Sequence, residues 1–301
     1  MNNTTNRTVP GIALMVVSMA SFSLADTLVK FASASLSAAQ ILFYLNAGGL
    51  AFFFAFALFQ REQLIHSGAF KPVMLVRYVS EVLGMVGMIL ALKYVALSTV
   101  GAITQAAPLL VALGAVAFLG EKISWRRWSS IAVGFTGVLM IVQPGGAGFE
   151  FSVLWAVLAM LALAVRDLTT RMIPEGMGSG TLASYSMLAT VPFALAWVFY
   201  NGDSLFPATA RWTVVLPMVM LGSLGYMLLT FSIRMAEVSV VTPFRYTRIL
   251  FLLVLGVVVF EEKPNALMLC GAALVIASGV YLMAREQRVK RKAQATASEK
   301  G

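Results

Sequence analysis

Apolar stretches of about 20 residues, each closed by a short polar break, follow one another from residue 10 to residue 284. A helix rises 1.5 Å per residue, so a stretch of that length crosses roughly 30 Å of hydrocarbon. Ten spans are predicted, over residues 10–30, 38–60, 72–93, 96–119, 127–143, 152–172, 181–200, 212–233, 238–260 and 264–284. The breaks carry Arg61-Glu62, Gly120-Glu121-Lys122, Pro144-Gly145-Gly146, Pro174-Glu175-Gly176, Asn201-Gly202-Asp203 and Glu261-Glu262-Lys263-Pro264, the punctuation expected of turns. No linker is long enough to separate soluble domains. The first stretch is read as a span and not as a cleaved leader, because it is long and contains Asp26 and Lys30.

Displacing the chain by 141 residues superposes spans one to five on spans six to ten. Asp26 falls on Asp167, Lys30 on Arg171, Tyr44 on Tyr185, Gly84 on Gly225, Lys93 on Arg234, Ser98 on Ser239, and Glu121-Lys122 on Glu262-Lys263. Polar residues are rare inside spans, so their coincidence at one fixed offset points to an internal repeat, residues 1–143 and 150–284, followed by a basic tail, 285–301. Five spans per half is an odd number, and the halves must then cross the membrane in opposite senses. The predicted fold is all-α and integral to the membrane, with ten transmembrane helices in two inverted-topology five-helix repeats. Such halves can place a site near the midplane and expose it to either side in turn.

Phe118-Leu119-Gly120-Glu121-Lys122 closes the fourth span and Phe260-Glu261-Glu262-Lys263-Pro264 the ninth, while the fifth and tenth spans bear glycines. In these features the chain resembles the EamA-type branch of the drug/metabolite transporter superfamily over residues 10–284. The second closure departs from the first by reading Phe-Glu-Glu in place of Leu-Gly-Glu. Within that family, Arg166-Asp167 followed by Arg171, with Pro243-Phe244-Arg245-Tyr246, is similar to a bacterial group that includes carriers of S-adenosylmethionine and riboflavin. The resemblance implies a secondary transporter, not an enzyme, in a bacterial-type cytoplasmic (inner) membrane. A riboflavin-like compound, an amino-acid derivative or S-adenosylmethionine would be its substrate. An integral-membrane enzyme acting on lipid-linked substrates, or a channel, is the alternative.

Composition agrees with a bilayer as solvent. Of 301 residues 59% are hydrophobic and 12% charged, with a mean hydropathy of +0.86, whereas soluble domains carry about 25% charged residues. The net charge of +9 does not signal nucleic acid, because Arg285, Arg288, Lys290, Arg291, Lys292 and Lys300 concentrate it in a tail without aromatic interleaving. With a cytoplasmic N-terminus, Arg7, Arg61, Lys71, Lys122, Arg126, Arg127, Arg171, Arg234 and the tail face inward, against Lys30, Lys93, Arg211 and Lys263 outside. That bias predicts both termini in the cytoplasm. One cysteine, Cys270, and one histidine, His66, leave no set for a metal site, and neither a phosphate loop nor a Gly-x-Ser-x-Gly elbow occurs. No cofactor is expected. The partners expected are a small-molecule substrate, the bilayer, and protons or a counter-substrate, with a homodimer left open.

The candidate site residues are polar groups inside the spans, where charge is costly and faces a cavity or a partner. Asp26, Arg77, Glu81, Arg166, Asp167, Arg245 and Arg248 form this set, three acids against four bases. Arg245 and Arg248, three apart on one helix face behind Pro243, read as a clamp for an anion or a flat ring; otherwise one pairs with Glu81 and the other reaches the interface. Glu81, nine residues into its span, is either a coupling or substrate group or the partner of Arg77 or of the span-nine arginines. Asp26 and Asp167 are either gating acids or ordinary pairs with Lys30 and Arg171 four residues on. Tyr44, Tyr185, Tyr78, Tyr246, Asn46 and Gln105 are further candidates to line the cavity, Asn46 and Gln105 alternatively gluing helices together.

Overall fold

The computed structural model describes residues 5–119, 125–145, 150–170, 172, 177–236 and 238–298. Glu121, Lys122 and Arg171, and the side chains of the basic tail, lie outside them. Twelve α-helices follow in order: α1 (Thr5–Ala32), α2 (Ala38–Phe59), α3 (Pro72–Tyr94), α4 (Leu97–Thr104), α5 (Ala107–Leu119), α6 (Trp125–Val142), α7 (Val153–Thr170), α8 (Ser179–Tyr200), α9 (Trp212–Met235), α10 (Val238–Val241), α11 (Thr247–Phe260) and α12 (Ala266–Ser298). Among the described residues nine stretches are long and apolar enough to cross a membrane, and Trp128–Val142 in α6 is a shorter tenth. The expected all-helical, ten-span architecture is therefore present.

Local chemistry sets the ends. Ser37 caps α2 in a reciprocal box, its Oγ accepting from Gln40 N at 3.2 Å while Gln40 Oε1 accepts from Ser37 N at 2.9 Å. Pro72 opens α3, where its missing N–H costs nothing. Two spans are broken in mid-course. The fourth is interrupted between α4 and α5 at Gln105-Ala106, because Pro108 has no N–H to donate to the carbonyl of Thr104, four residues before it and the last of α4. The ninth passes through a 3₁₀ turn, Thr242–Tyr246, containing Pro243.

Helices pack in five main pairs: α1 with α9, α3 with α7, α2 with α8, α6 with α12, and α4 with α11. Ser18 and Ser21 donate to the carbonyls of Gly225 and Leu221 at 2.6 and 2.8 Å, and Ser232 to that of Gly11 at 2.6 Å, stitching α1 to α9. The α6–α12 crossing is tighter still. A Cβ at Gly137 would stand 2.6 Å from the Gly271 carbonyl, and one at Gly271 equally close to that of Gly137, so only glycine fits either place. The outer faces are apolar: Phe59, Val79, Leu139 and Val258 are more than half exposed, a surface that suits lipid. Trp125, Trp128 and Trp212 are exposed at helix ends, where interfacial indoles belong. The last helix continues well beyond its span, which ends at Ala284.

Candidate functional site

Embedded charges form two groups. In the first, α3 and α7 share four residues. Arg166 donates to Asp167 Oδ1 from Nε at 3.0 Å and from Nη2 at 2.9 Å, and its Nη1 lies 3.4 Å from Glu81 Oε1. Arg77 Nη2 lies 3.9 Å from Glu81 Oε2, and its Nη1 donates to the Arg166 carbonyl at 3.2 Å and to Thr170 Oγ1. Two bases balance two acids. Arg77 is buried to 4% exposure, yet the Arg166 and Asp167 side chains keep 24% and 31% of their surface accessible. Tyr226 of α9 lies within electrostatic reach of all four and packs edge-on against Phe53, ring centroids 5.0 Å apart.

The second group joins α1 to α11. Arg248 Nη2 donates to Asp26 Oδ2 at 2.6 Å, and its guanidinium lies 5.3 Å from the Phe22 ring centroid. Two expected pairings give way to this one. Lys30 does not pair with Asp26: its Nζ donates to the carbonyls of Val95 at 2.5 Å and Leu92 at 3.3 Å, and sits 5.4 Å from the Phe260 ring. Glu81 does not take a span-nine arginine, because Arg77 and Arg166 occupy it. The physical reason is common to both. Arg248 is held inside the bundle, where an unpaired charge is far more costly than at a helix end, so the enclosed acid goes to it and the longer lysine reaches the last carbonyls of α3. For Asp167 the expected partner Arg171 is outside the described residues, and Arg166 supplies the base.

Arg245 stands apart. Its side chain makes no hydrogen bond or ion pair within 4.0 Å among the described residues, although it lies within electrostatic reach of Asp167. Its main-chain carbonyl accepts from Gln105 Nε2 at 2.6 Å, so the breaks of the fourth and ninth spans touch one another.

The remaining sequence candidates are not gathered around Arg245. Tyr44 donates to the Leu205 carbonyl at 2.5 Å and packs edge-on to Trp212. Tyr185 donates to that of Leu64 at 2.8 Å, and Tyr78 to that of Ala69 at 3.1 Å. Asn46 is 2% exposed and bonds back to the Leu42 carbonyl of its own helix. The Tyr246 hydroxyl is buried without a partner, directed at Gly279 of α12. His66 accepts from Gly68 N through Nδ1 at 3.1 Å in its loop.

Sequence reasoning missed three participants. Tyr226 carries no signal beyond following Gly225, and Phe22 none beyond standing four residues before Asp26. Glu262 was visible through its repeat position; its carboxylate accepts from Leu97 N at 2.5 Å, Ser98 N at 3.0 Å and Ser98 Oγ at 2.6 Å, capping α4. A cavity of about 390 Å³ lies between α2 and α8, walled by Leu50, Phe54, Leu64, Tyr185 and Leu188, and holds none of the embedded charges. It is apolar, so the charged interior is the better candidate for a polar ligand. No group of three or more His, Cys, Asp or Glu side chains able to hold a metal occurs among the described residues.

The EamA-like transporter family profile matches residues 9–143 and again 150–285. The chain is 26% identical to a riboflavin transporter of Rhizobium johnstonii over 95% of both proteins. It is 24% identical to an S-adenosylmethionine uptake transporter of Rickettsia conorii over 96% of this chain and 97% of that one. With a pseudopaline exporter of Pseudomonas aeruginosa it shares 29% identity over 90% of this chain and 95% of that protein. A solved crystal structure superposes with a TM-score of 0.57 at 18% identity, over 91% of this chain and 98% of the other, which shows the fold. Helices built to cross a bilayer and a family match along nearly the whole length agree: the chain is a multi-pass membrane transporter and belongs to the EamA-like transporter family.

Proposed function

We propose that the chain is a secondary transporter of a small anionic or zwitterionic metabolite, or of an electron-rich flat heteroaromatic one, and that Arg245 is the group that receives it. One observation carries this reading: of the seven embedded charges, Arg245 alone lacks an ionic partner among the described residues. Arg248 is fixed on Asp26, and Arg77 and Arg166 are balanced by Glu81 and Asp167. A guanidinium left over in a low-dielectric interior attracts a carboxylate, a phosphate or a π-face, whereas an organic cation adds to the excess charge. The expected two-arginine clamp reduces to one arginine, with Tyr226 and the Arg166–Asp167 edge as neighbouring polar surface. The relatives' substrates, riboflavin, S-adenosylmethionine and pseudopaline, guide the choice of compounds, and their uptake and export roles leave direction to experiment.

Alternating access by two inverted halves, residues 1–143 and 150–284, is the mechanism that fits this arrangement. Supporting it, contacts recur at the 141-residue offset. The Tyr44–Leu205 bond corresponds to Tyr185–Leu64, and Gln40 Nε2 to the Ser204 carbonyl at 2.7 Å corresponds to Thr181 Oγ1 to the Gln63 carbonyl at 3.1 Å. The five main helix pairings are unchanged as a set when each span is exchanged for its counterpart. We place the protein in a bacterial-type inner membrane with both termini cytoplasmic. Uptake and efflux of labelled riboflavin, S-adenosylmethionine and amino acids in proteoliposomes, with tetraphenylphosphonium as competitor, tests the reading. Transport of one of the first three, unaffected by the phosphonium, is expected; displacement by the cation but by none of the metabolites contradicts it.

A further inference from the structure

The segment that carries Arg245 is a 3₁₀ turn inside a membrane span, and such a turn has little of its own to hold it. Pro243 contributes no N–H, and irregular backbone at this depth persists only where other groups satisfy it. Side chains do so at two of its carbonyls, and an ion pair beside it anchors the following helix. Thr247 Oγ1 donates to the Phe244 carbonyl at 2.6 Å from within the turn's own helix. One residue further, Arg248 is tied to Asp26 on α1. The third bond comes from Gln105, at the break between α4 and α5, whose Nε2 reaches the carbonyl of Arg245 itself at 2.6 Å.

That break is what makes the reach available. Gln105 ends α4 with its own N–H turned back to the Gly101 carbonyl at 3.2 Å, and α5 does not begin until Ala107. At the 141-residue offset Gln105 coincides with Tyr246, so the two interrupted spans meet break to break, and the amide of one half holds the main chain of the other. A hydrogen bond in a low-dielectric interior is directional and costly to leave unmade. The Arg245 carbonyl also accepts from Thr247 N, but that bond lies within the turn's own chain; without the Gln105 amide nothing ties this carbonyl to α4, and the turn rotates the arginine with it.

We propose that Gln105 is a positioning residue: its side-chain amide fixes the Arg245 main chain and thereby aims the guanidinium, instead of serving as a primary contact for the transported molecule. The proposal rests on the assignment of Arg245 to the substrate, but its test does not need transport. The bond is made to a main-chain atom, so it survives replacement of the arginine side chain. With the native thiol removed by Cys270→Ala, Arg245→Cys is labelled in nanodiscs by a negatively charged methanethiosulfonate, without substrate. Labelling is compared between Gln105 and two variants, Gln105→Leu, which has the size but no donor, and Gln105→Glu, which presents an acceptor to the carbonyl. A change of about tenfold in labelling rate, the scale of one hydrogen bond of ordinary net strength, is expected in both variants. Ala194→Cys, at a fully buried position in α8, stays unlabelled in every variant and reports that the protein is intact.

Equal labelling rates at Arg245→Cys with and without the Gln105 amide overturn the proposal. In transport, Gln105→Leu is expected to raise KM severalfold while kcat changes little, and Gln105→His, which retains a donor, restores part of the affinity. Loss of kcat with unchanged KM and unchanged labelling also overturns it. Absence of any transport by the unmodified protein strikes the substrate assignment and leaves the labelling result to decide the positioning role.

Discussion

Glu262 offers the clearest case in which a single side chain joins the two halves. It belongs to the closure after α11, yet it caps α4, whose own N-cap residue, Ala96, has no side chain able to do so. The carboxylate fits because residue 256 is glycine: a Cβ there would lie 2.4 Å from Glu262 Oε2 and 3.4 Å from Ser98 N. Leu97 and Ser98 are 0% and 3% exposed, so their N–H groups have no ready substitute in water. Glu262→Ala removes a charged acceptor from two main-chain donors and one hydroxyl. Hydrogen bonds to charged groups are worth about 1.5–3 kcal/mol each, and part of this is recovered because Glu262 is itself only half-buried. The expected cost is about 3 kcal/mol. Gly256→Ala displaces the same carboxylate without removing it and should cost about 1–2 kcal/mol. If both act through one latch, the double variant costs little more than Glu262→Ala alone. Unfolding by sodium dodecyl sulfate in mixed micelles measures all three. Full additivity, or a Glu262→Ala cost below about 0.5 kcal/mol, would falsify the latch.

Asp26→Asn or Arg248→Leu alone strands a charge inside the bundle and should destabilise by about 3–5 kcal/mol, while the double variant recovers a large share; a double variant as unstable as the worse single one contradicts the pair. Tyr44→Phe removes one hydrogen bond and should cost about 1 kcal/mol in the same micelle assay, while Tyr185→Phe removes the equivalent bond and also the acceptor of His66 N and should cost up to ~1 kcal/mol more; a smaller cost at Tyr185 than at Tyr44 counts against the repeat. Reporter fusions are expected to place both termini and the 173–180 break in the cytoplasm and the 201–210 break outside; termini on opposite sides would remove the inverted arrangement.

The spans and their order were legible because a bilayer imposes a long, nearly uniform hydrophobic period that few residues can imitate. The break in the ninth span was legible from Pro243, and Asp26, Glu81 and Arg248 were found because charge inside a span is conspicuous. Their partners were not. An acid and a base four apart suggest a local pair, yet Lys30 reaches α3 and Asp26 reaches α11. The choice is made by which charge ends up enclosed, a property of helix packing and not of spacing. Tyr44 and Tyr185 stood out by their shared offset, but the offset marks equivalence and not role: each secures a loop of the other half. Gln105 was visible as a polar residue in an apolar span, while its target, a main-chain carbonyl, leaves no trace in a sequence.

The central claim is that Arg245 receives the transported molecule, and substitution at that one position tests it most directly. Initial rates for whichever metabolite the purified protein carries are to be measured in proteoliposomes for Arg245→Ala and Arg245→Lys, with insertion and folded yield matched to the unmodified chain. The alanine variant is expected to lose at least about tenfold in kcat/KM, and lysine, which keeps the charge but not the planar fork, to recover only a minor part. Unchanged kcat/KM in the alanine variant would contradict the account, since the base without an ionic partner would then have no part in binding.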